Sequence, residues 1–332
     1  MQVEYSVLVC VYNTSENLAE CLDSILAQTF KSFETVIIDD GSTDGSAQIC
    51  DDYAGRDSRV RVIHKKNEGL VLARKAALEN AAGRRVLFVD SDDYVSPVLL
   101  EKIDSAFEEY GCDMVCYDIG YFYPDGRIVP SHLSAGDKLF TSDNRREIYE
   151  LLLSTKFNSM CRKCFRADAF VNDIDYSYFK GFSRGEDRLM TSHLLKQIGS
   201  FFCLHEVLYY YRQSSESMTS KYSIYDLERA SRSCGEILEM IKSEDLYDRE
   251  TDLQFHLFCR HIFSSFLASL STAETGKDEK LRTLRDSERT ELFVWAADPI
   301  SDPHSSKNAV IKFSLLRRGM YRTLLRLMKL KG

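Results

Sequence analysis

The sequence predicts an α/β protein with a mostly parallel sheet, followed by a helical C-terminal region. Strand and helix patterns alternate through the first third of the chain, and apolar residues recur at helical spacing from about Ser223 onward. Such alternation produces parallel strands joined by right-handed crossovers. The length of 332 residues fits one large domain with an appendage, or two domains.

The first third contains four predicted strands. Val7 to Val11 is a continuous apolar run, typical of a strand buried on both faces. The helix after it has apolar residues at spacings of three and four, and Thr14 or Ser15 can cap its start. Gly83 suits a left-handed stop for the third helix. The remaining elements are predicted at Phe33–Ile38, Ser46–Tyr53, Val60–Ile63, Leu70–Ala82 and Val86–Val89.

The middle third is less regular. Tyr121 to Pro130 predicts a hairpin with Pro-Asp-Gly at its turn. Gly181 to Gly199 predicts a glycine-rich loop that enters a helix, and His205 to Ser220 predicts a strand followed by a polar loop. Two long apolar stretches predict helices after residue 223, and segments 271–280 and 298–306 have the composition of linkers.

Composition excludes several functional classes. The net charge of −8 argues against nucleic acid as a partner. No apolar run reaches the roughly 18 residues of a spanning helix, and the N-terminus has no basic start typical of a signal peptide, so a cytoplasmic location is expected. The ten cysteines are scattered, and the pair Cys161 and Cys164 has no second pair at zinc-finger spacing. Most are expected to be small core residues.

Polar clusters follow three of the predicted strands: "YNTS", "DDGSTD" and "DSDD". Ligands of parallel sheets bind outside the carboxyl ends of strands, so these clusters should converge in space. Asp90, Asp92 and Asp93 repel one another, and a positive group should offset them. The absence of GxGxxG and of a P-loop pattern argues against a dinucleotide or a P-loop nucleotide.

The order and spacing of these motifs resemble family-2 glycosyltransferases, whose catalytic domain has the GT-A fold. The matching segments are "SVLVCVYN", "VIIDDGSTDGS", "NEGLVLARKAAL", "VLFVDSDD" and "GEDRLM", and the resemblance covers roughly residues 4–220. Cys10 departs from the family pattern, which has proline there. The resemblance implies a nucleotide-sugar-binding half at 1–110, an acceptor-binding half with the catalytic base at 111–220, and a helical region at 221–332.

The resemblance implies inverting transfer of a hexosyl or N-acetylhexosaminyl group from a UDP-sugar to a glycan acceptor, lipid-linked or part of a cell-envelope polysaccharide. Negative charge accumulates on the departing diphosphate, and Mn²⁺ or Mg²⁺, which prefer oxygen ligands, can stabilise it. Asp93 or Asp92 would bind this cation. Asp90 and Asp92 would face the ribose or the cation's outer shell. The alternative for this cluster is a plain turn before a helix.

The same resemblance assigns the base-reading role to Asp40 first and Asp39 second, where a carboxylate can accept the uracil N3–H. Tyr12 would pack on the ring with help from the Val11 backbone. An Asx-turn that caps the following helix is the alternative for the two aspartates. Lys65 and Lys66 are expected to be exposed.

Two arginines are candidates for contacts with the diphosphate. Arg74 would meet the phosphates or form an ion pair with the acidic cluster, and a solvated arginine is the alternative. Arg212 lies in a segment that closes over the diphosphate in the family, as do Ser217 and Thr219.

Glu186 and Asp187 are the candidate catalytic residues. Attack by an acceptor hydroxyl needs a base, and the resemblance assigns this role to Asp187, with Glu186 orienting the acceptor or the base. The alternative is favourable acidic charge at a helix N-terminus.

The segment 307–332 has eight basic residues and no acidic ones, interleaved with apolar side chains. This pattern predicts a basic amphipathic helix on the inner face of an anionic membrane. A helix packed on the protein body or in an oligomer contact is the alternative. For the whole chain, a nucleotidyltransferase that makes nucleotide sugars and a non-catalytic nucleotide-sugar-binding protein are the competing functions. The sequence does not specify the sugar.

Overall fold

The computed structural model describes residues 3–154, 156–170, 185–213, 224–299 and 307–329. The chain divides into two compact units. The first, Met1–Leu151 with Lys156–Ser215, contains the sheet. The second, Leu152–Thr155 with Glu216–Gly332, is helical in its described part. The predicted α/β class with a helical C-terminal region is confirmed.

The described strands form one sheet in the order β3-β2-β1-β4-β9-β6-β10-β5, with β7 beside β6 and β8 beside β10. The first four strands are mutually parallel, as are β6 and β10. The other pairings are antiparallel. The strands are β1 Tyr5–Val11, β2 Phe33–Asp39, β3 Val60–His64, β4 Arg85–Asp90, β5 Tyr94–Val95, β6 Met114–Phe122, β7 Ile128–Ser131, β8 Lys138–Phe140, β9 Lys163–Arg166 and β10 Phe201–Arg212.

Helices of the first unit connect these strands. The predicted apolar face of α1 is buried, and each such aliphatic side chain contributes about 1.5–3 kcal/mol. The hairpin predicted at Tyr121–Pro130 is confirmed, since Phe122 pairs with Ile128 across the turn. The helices are α1 Ser15–Leu26, α2 Ser46–Arg56, α3 Leu70–Glu79, α4 Leu99–Tyr110, α5 Arg145–Leu153 and α6 Glu186–Gln197.

The predicted end of α3 is wrong. The helix stops at Glu79 instead of Ala82, and Gly83 does not adopt the left-handed conformation of a helix stop. A Cβ at Gly83 would lie 2.5 Å from the Ser6 nitrogen. Glycine is therefore required because the chain entering β4 runs directly against β1.

The second unit is built from α7 Ile224–Ser243, α8 Arg249–Thr272, α9 Lys277–Ser287, α10 Glu291–Ala297, α11 Lys307–Arg317 and α12 Tyr321–Lys329. The apolar stretches that predicted helices are the buried faces of α7 and α8. The predicted linker at 271–280 is wrong, because both its ends are helical. The second predicted linker lies mostly outside the described residues.

The basic C-terminal segment forms two helices instead of one, broken at Gly319 with φ +63. Phe313, Leu316 and Leu324 are buried, and α12 packs on α8 and α9. Among the described helices, none combines the length and apolar character needed to cross a membrane. The core role predicted for cysteine is confirmed: nine of the ten free thiols are buried, Cys161 and Cys164 included.

Candidate active site

The loops after β1, β2 and β4 meet at one edge of the sheet, here called the rim. Asn13 Oδ1 accepts a hydrogen bond of 2.8 Å from the Thr43 nitrogen, which joins the first loop to the second. The Thr14 hydroxyl donates to Ser91 Oγ at 2.9 Å, which joins the first loop to the third. The predicted convergence of the three polar clusters is confirmed.

One carboxylate holds two helix starts at the rim. Thr14 occupies the N-cap of α1, as predicted, but its side chain makes no capping bond. Instead, Asp44 accepts from the Ser15 nitrogen and from the Ser46 nitrogen, both at 3.0 Å. Burial acts to raise the pKa of Asp44, but hydrogen bonds from Ser46 and Ser15 outweigh it and lower this pKa. Sequence reasoning missed this residue, although aspartate shortly before a helix is a capping signal.

Asp40 is buried beneath the N-terminus of α3. It accepts from the Lys65 ammonium at 2.9 Å, the Glu68 nitrogen at 3.1 and 3.2 Å, and the Gly69 nitrogen at 2.8 Å. The expectation that Lys65 is exposed is wrong, because its side chain retains only 17% exposure in this ion pair. Three donors therefore hold the carboxylate of Asp40, and the Glu68 nitrogen is shared between its two oxygens.

Asp39 is equally buried but has fewer partners. It accepts from the Ser42 nitrogen at 3.0 Å in an Asx-type turn and pairs with His64 Nδ1 at 2.8 Å. Burial acts to raise the pKa of Asp39, but the hydrogen bonds from His64 and Ser42 outweigh it and lower this pKa. The carboxylates of Asp39 and Asp51 raise the pKa of His64. Sequence reasoning also missed His64, at the carboxyl end of β3.

Val11 and Tyr12 lie where β1 reaches the rim. The Val11 carbonyl accepts from the Asp40 nitrogen at 2.9 Å, which fixes the backbone there. Tyr12 is 48% exposed, so its ring is available to pack on a planar ligand.

Arg74 joins two motifs that are 113 residues apart. Its side chain is only 2% exposed, its Nη1 bonds Asp187, and its Nη2 lies 3.4 Å from Asp90 Oδ1. Its guanidinium also lies 5.3 Å from the centre of the Phe88 ring. Burial acts against the charge, but Asp187 and Asp90 raise the pKa of Arg74. The structure shows the ion pair, and the phosphate contact stays a prediction.

Asp93 is the buried member of the acidic cluster, at 1% exposure. Its Oδ2 accepts from the Tyr209 hydroxyl at 2.6 Å and its Oδ1 from the Arg212 nitrogen at 2.8 Å. The Tyr209 hydroxyl in turn accepts from the Asp90 nitrogen at 3.1 Å. Burial first, then the charges of Asp90 and Asp92, raise the pKa of Asp93.

Asp92 projects to the surface of the rim, although surrounding atoms still remove part of its hydration. This lost hydration, followed by the charge of Asp90, raises the pKa of Asp92. Arg212 donates to the Asp92 carbonyl at 2.9 Å and to Glu20 at 2.5 Å. Carboxylate oxygens are the ligands that Mg²⁺ or Mn²⁺ require. The raised pKa values show that these carboxylates repel one another, and a bound cation would offset that repulsion.

Glu186 and Asp187 form the first turn of α6, whose N-cap is Gly185 with φ +84. Asp187 Oδ2 accepts from the Met160 nitrogen at 3.3 Å, so both its oxygens are oriented. Glu186 Oε2 is buried and has no hydrogen-bond partner within the described ranges. Burial, then the charge of Asp187, raises the pKa of Glu186 to about 7.

A cavity of about 460 Å³ lies beside the C-terminal ends of β6 and β10, and sequence reasoning missed it. Tyr121 and Tyr211 face each other across the β6–β10 pair with ring centres 5.9 Å apart. Ser159, beside the Met160 that bonds Asp187, also lines it. The lining residues are Ile119, Tyr121, Tyr123, Ser159, Tyr211 and Gln213. The predicted contacts of Ser217 and Thr219 lie outside the described residues.

Comparison with known proteins identifies a family and a shared fold. The family described as Glycosyl transferase family 2 matches residues 6–172, about half of the chain. The chain is 32% identical to the uncharacterized glycosyltransferase EpsJ of Bacillus subtilis over 64% of this chain and 62% of that protein. It is 30% identical to the poly(ribitol-phosphate) beta-N-acetylglucosaminyltransferase TarS of Staphylococcus aureus over 66% of this chain and 38% of TarS.

The crystal structure of residues 1–349 of S. aureus TarS in complex with UDP-GlcNAc superimposes with a TM-score of 0.69 at 23% identity, covering 98% of this chain and 90% of that one. The two proteins therefore share a fold. The aligned part of the chain spans at most about three fifths of the length of the curated relatives EpsJ and TarS.

Proposed function

The chain belongs to glycosyltransferase family 2, with the GT-A fold, and from this we propose that it transfers a sugar from a UDP-sugar to an acceptor hydroxyl. The UDP-GlcNAc complex of TarS supports a UDP-linked donor with a hexosyl or N-acetylhexosaminyl group. The name of TarS gives poly(ribitol-phosphate) as the acceptor of that protein, and for this chain we propose a glycan or lipid-linked acceptor of the cell envelope. The observation that carries the proposal is Arg74, because it unites the acidic cluster with the candidate base.

We place the nucleotide on the half formed by residues 1–110. A carboxylate offers about four lone-pair sites. Three donors already hold Asp40, and one of them is shared between both oxygens, whereas two donors hold Asp39. Asp39 is therefore the better acceptor for the uracil N3–H, which reverses the order expected from sequence. The exposed Tyr12 ring packs on the base.

Asp92 is the proposed ligand of Mn²⁺ or Mg²⁺, because its carboxylate lies at the surface of the rim. Asp93 acts beside it, positioned by Tyr209 and the backbone of Arg212. When bound, the cation neutralises charge on the diphosphate. We assign to Arg74 and Arg212 the role of adding positive charge near the diphosphate, and to Asp90 the contact with the ribose.

Asp187 is the proposed base. Its two oxygens are held by Arg74 and the Met160 nitrogen, so the carboxylate keeps a fixed direction while it accepts the proton of the acceptor hydroxyl. Attack from the face opposite the departing diphosphate inverts the anomeric carbon. Glu186, partly protonated near neutral pH, orients the acceptor or the base.

The tyrosine-lined cavity is the proposed acceptor subsite of the half formed by residues 111–220. Tyrosine rings give sugars apolar faces to pack on and hydroxyls to bond. For residues 221–332 we propose a membrane-facing role, because Val310 and Ile311 of α11 and Met320 of the following turn are exposed beside exposed arginines.

The transferase proposal is tested with Asp187→Asn. Loss of a general base should lower kcat by about 10²–10⁴-fold, while UDP binding, measured by calorimetry, stays unchanged. Asp278→Asn is the matched control, since Asp278 also lies in the first turn of a helix but is exposed on α9. Unchanged turnover of Asp187→Asn contradicts the assigned role.

The membrane proposal is tested by flotation with anionic vesicles. Glutamine at four exposed arginines should reduce flotation, because each cation near such a surface contributes about 1 kcal/mol. These are Arg317, Arg318, Arg322 and Arg326. The matched control places glutamine at four exposed cations of the α9 region: Lys277, Arg282, Arg285 and Arg289. Equal flotation of the two variants contradicts the proposal.

A further inference from the structure

We infer that Asp118, His132 and His205 form a zinc site separate from the rim. Among the described residues, this is the one group of three His, Cys, Asp or Glu side chains whose donor atoms all lie within 4.8 Å of one another. Asp118 lies in β6, His132 directly follows β7 and His205 lies in β10, so no single stretch of sequence reveals them.

The two histidines face one oxygen of the carboxylate. His132 Nδ1 lies 2.5 Å and His205 Nδ1 3.3 Å from Asp118 Oδ2, and the two imidazole centres are 4.3 Å apart. Zinc bonds of about 2.0–2.1 Å place tetrahedral ligands about 3.3–3.4 Å apart. The His205 spacing already meets this value, and His132 meets it after an outward shift of about 1 Å.

The other oxygen of Asp118 is held by the protein. Asp118 Oδ1 accepts from the Leu133 nitrogen at 2.9 Å and lies 3.6 Å from the Arg162 guanidinium. These contacts orient the buried carboxylate and leave Oδ2 to the histidines, as outer-shell partners do in metal sites. Arg162 directs its hydrogen bonds to three backbone carbonyls, of Tyr117, Ser131 and Lys156.

An irregularity of the sheet brings His205 to this position. The parallel register pairs Leu204 with Tyr117 and then Val207 with Asp118, so His205 and Glu206 form a bulge in β10. Bulges redirect side chains and cluster beside functional sites. The backbone nitrogen of His205 is fixed by Asp137 at 2.7 Å.

Access and ligand chemistry both favour zinc. The side chains of His132 and His205 are 42% and 34% exposed, so an ion can enter from solvent and water can be the fourth ligand. Imidazole nitrogens favour zinc, whereas the oxygen-only cluster at the rim favours Mg²⁺ or Mn²⁺. The ion would fasten β10 to β6 and β7.

The test is a titration of chelator-treated full-length protein with Zn²⁺ against a chromophoric competitor. Wild type should bind one zinc that the double variant His132→Ala/His205→Ala does not bind. Outer-shell changes alone cost about 10–100-fold in affinity, so loss of two ligands should cost at least that much. His261→Ala, an exposed histidine on α8, is the matched control and should retain the zinc.

Retention of equal zinc affinity by the double variant overturns the inference, as does a wild type that binds no zinc. Co²⁺ gives a second readout that needs no variant, because a tetrahedral site with two nitrogens and one carboxylate produces visible absorption bands. Wild-type protein without these bands also overturns it. Asp92→Asn should keep the zinc, and this result separates the site from the acidic cluster at the rim.

Discussion

The two halves of the sheet carry their buried charges in different places. In the parallel half, β1 to β4, charged residues follow the strand ends, as Asp40 and Asp93 do. In the mixed half, Asp118 and Lys163 lie within strands β6 and β9, at 1% and 0% exposure. Both arrangements bury charge, but the first places it at the ends of the strands and the second places it within them.

The difference shows that buried charge serves two purposes in this sheet. At the rim, carboxylates and Arg74 compensate one another and remain near a surface. In the mixed half, Lys163 donates to the carbonyls of Phe157 and Ser159, and burial lowers the pKa of Lys163 to about 8. Its charge therefore braces the irregular segment that presents Met160 to Asp187.

Removal of Arg74 tests the rim most severely. Arg74→Met leaves Asp90 and Asp187 without their shared cation, and breaking a buried pair costs about 3–5 kcal/mol. Urea denaturation should show a loss of this size in the free energy of unfolding. Arg84→Met is the control, because the Arg84 side chain is 61% exposed and its ion pair should contribute under about 1 kcal/mol. Equal losses would show that the rim does not depend on its buried arginine.

Glu186→Gln tests the glutamate next to Asp187, the partner of Arg74, through the pH dependence of stability. Because the pKa of Glu186 is raised from 4.5 to about 7, the folded protein is penalised as pH rises through this window. The variant should match wild type below pH 4.5 and gain up to about 3 kcal/mol above pH 7, at about 1.4 kcal/mol per pKa unit. Thermal unfolding at several pH values measures this, and a pH-independent difference contradicts it.

Tyr209→Phe asks whether β10 of the mixed half supports the rim. The Tyr209 hydroxyl joins the Asp90 nitrogen to the Asp93 carboxylate, and loss of such a buried partner costs about 1–3 kcal/mol. Chemical denaturation measures the change. Tyr210→Phe is the control, since Tyr210 contributes a ring stacked on Tyr94 with centres 4.6 Å apart. Similar effects of the two substitutions would argue against a specific bridge.

Tyr211→Ala addresses the acceptor cavity and should have the smallest effect. One lost aromatic contact is worth about 0.5–1.5 kcal/mol, so the KM for the acceptor should rise about 2–10-fold with UDP affinity unchanged. Steady-state kinetics with varied acceptor measure this. Tyr110→Ala removes a ring stacked on Phe202, with centres 4.0 Å apart, and serves as the control. A rise in the KM for the donor alone would assign the cavity to nucleotide binding and contradict its role as the acceptor subsite.

The parallel half could be predicted from sequence because its signals are local. Apolar runs such as Val86–Val89 mark buried strands, and the polar loops after them mark the rim. The same reasoning failed for Lys65, whose partner Asp40 lies 25 residues away. A pattern along the chain shows that a lysine is polar, but not which carboxylate lies above it.

The mixed half could be predicted only in part. The Tyr121–Pro130 hairpin and the helix after Gly185 were found, because turns and helix starts have local signatures. The tyrosine-lined cavity and the group Asp118, His132 and His205 depend on register between β6 and β10, including a bulge. No periodicity in one segment encodes the pairing of another.

Gly83 has a consequence for the mutational tolerance of the chain. A saturation library at this position should return glycine alone, since even the methyl group of alanine would lie 2.5 Å from a backbone atom of Ser6. Gly111, the C-cap of α4 with φ +58 and open space around it, should also admit asparagine. Glycine alone at position 83 and a tolerant position 111 would show that the chain entering β4 touches β1 at Gly83. This test needs neither a ligand nor an activity assay.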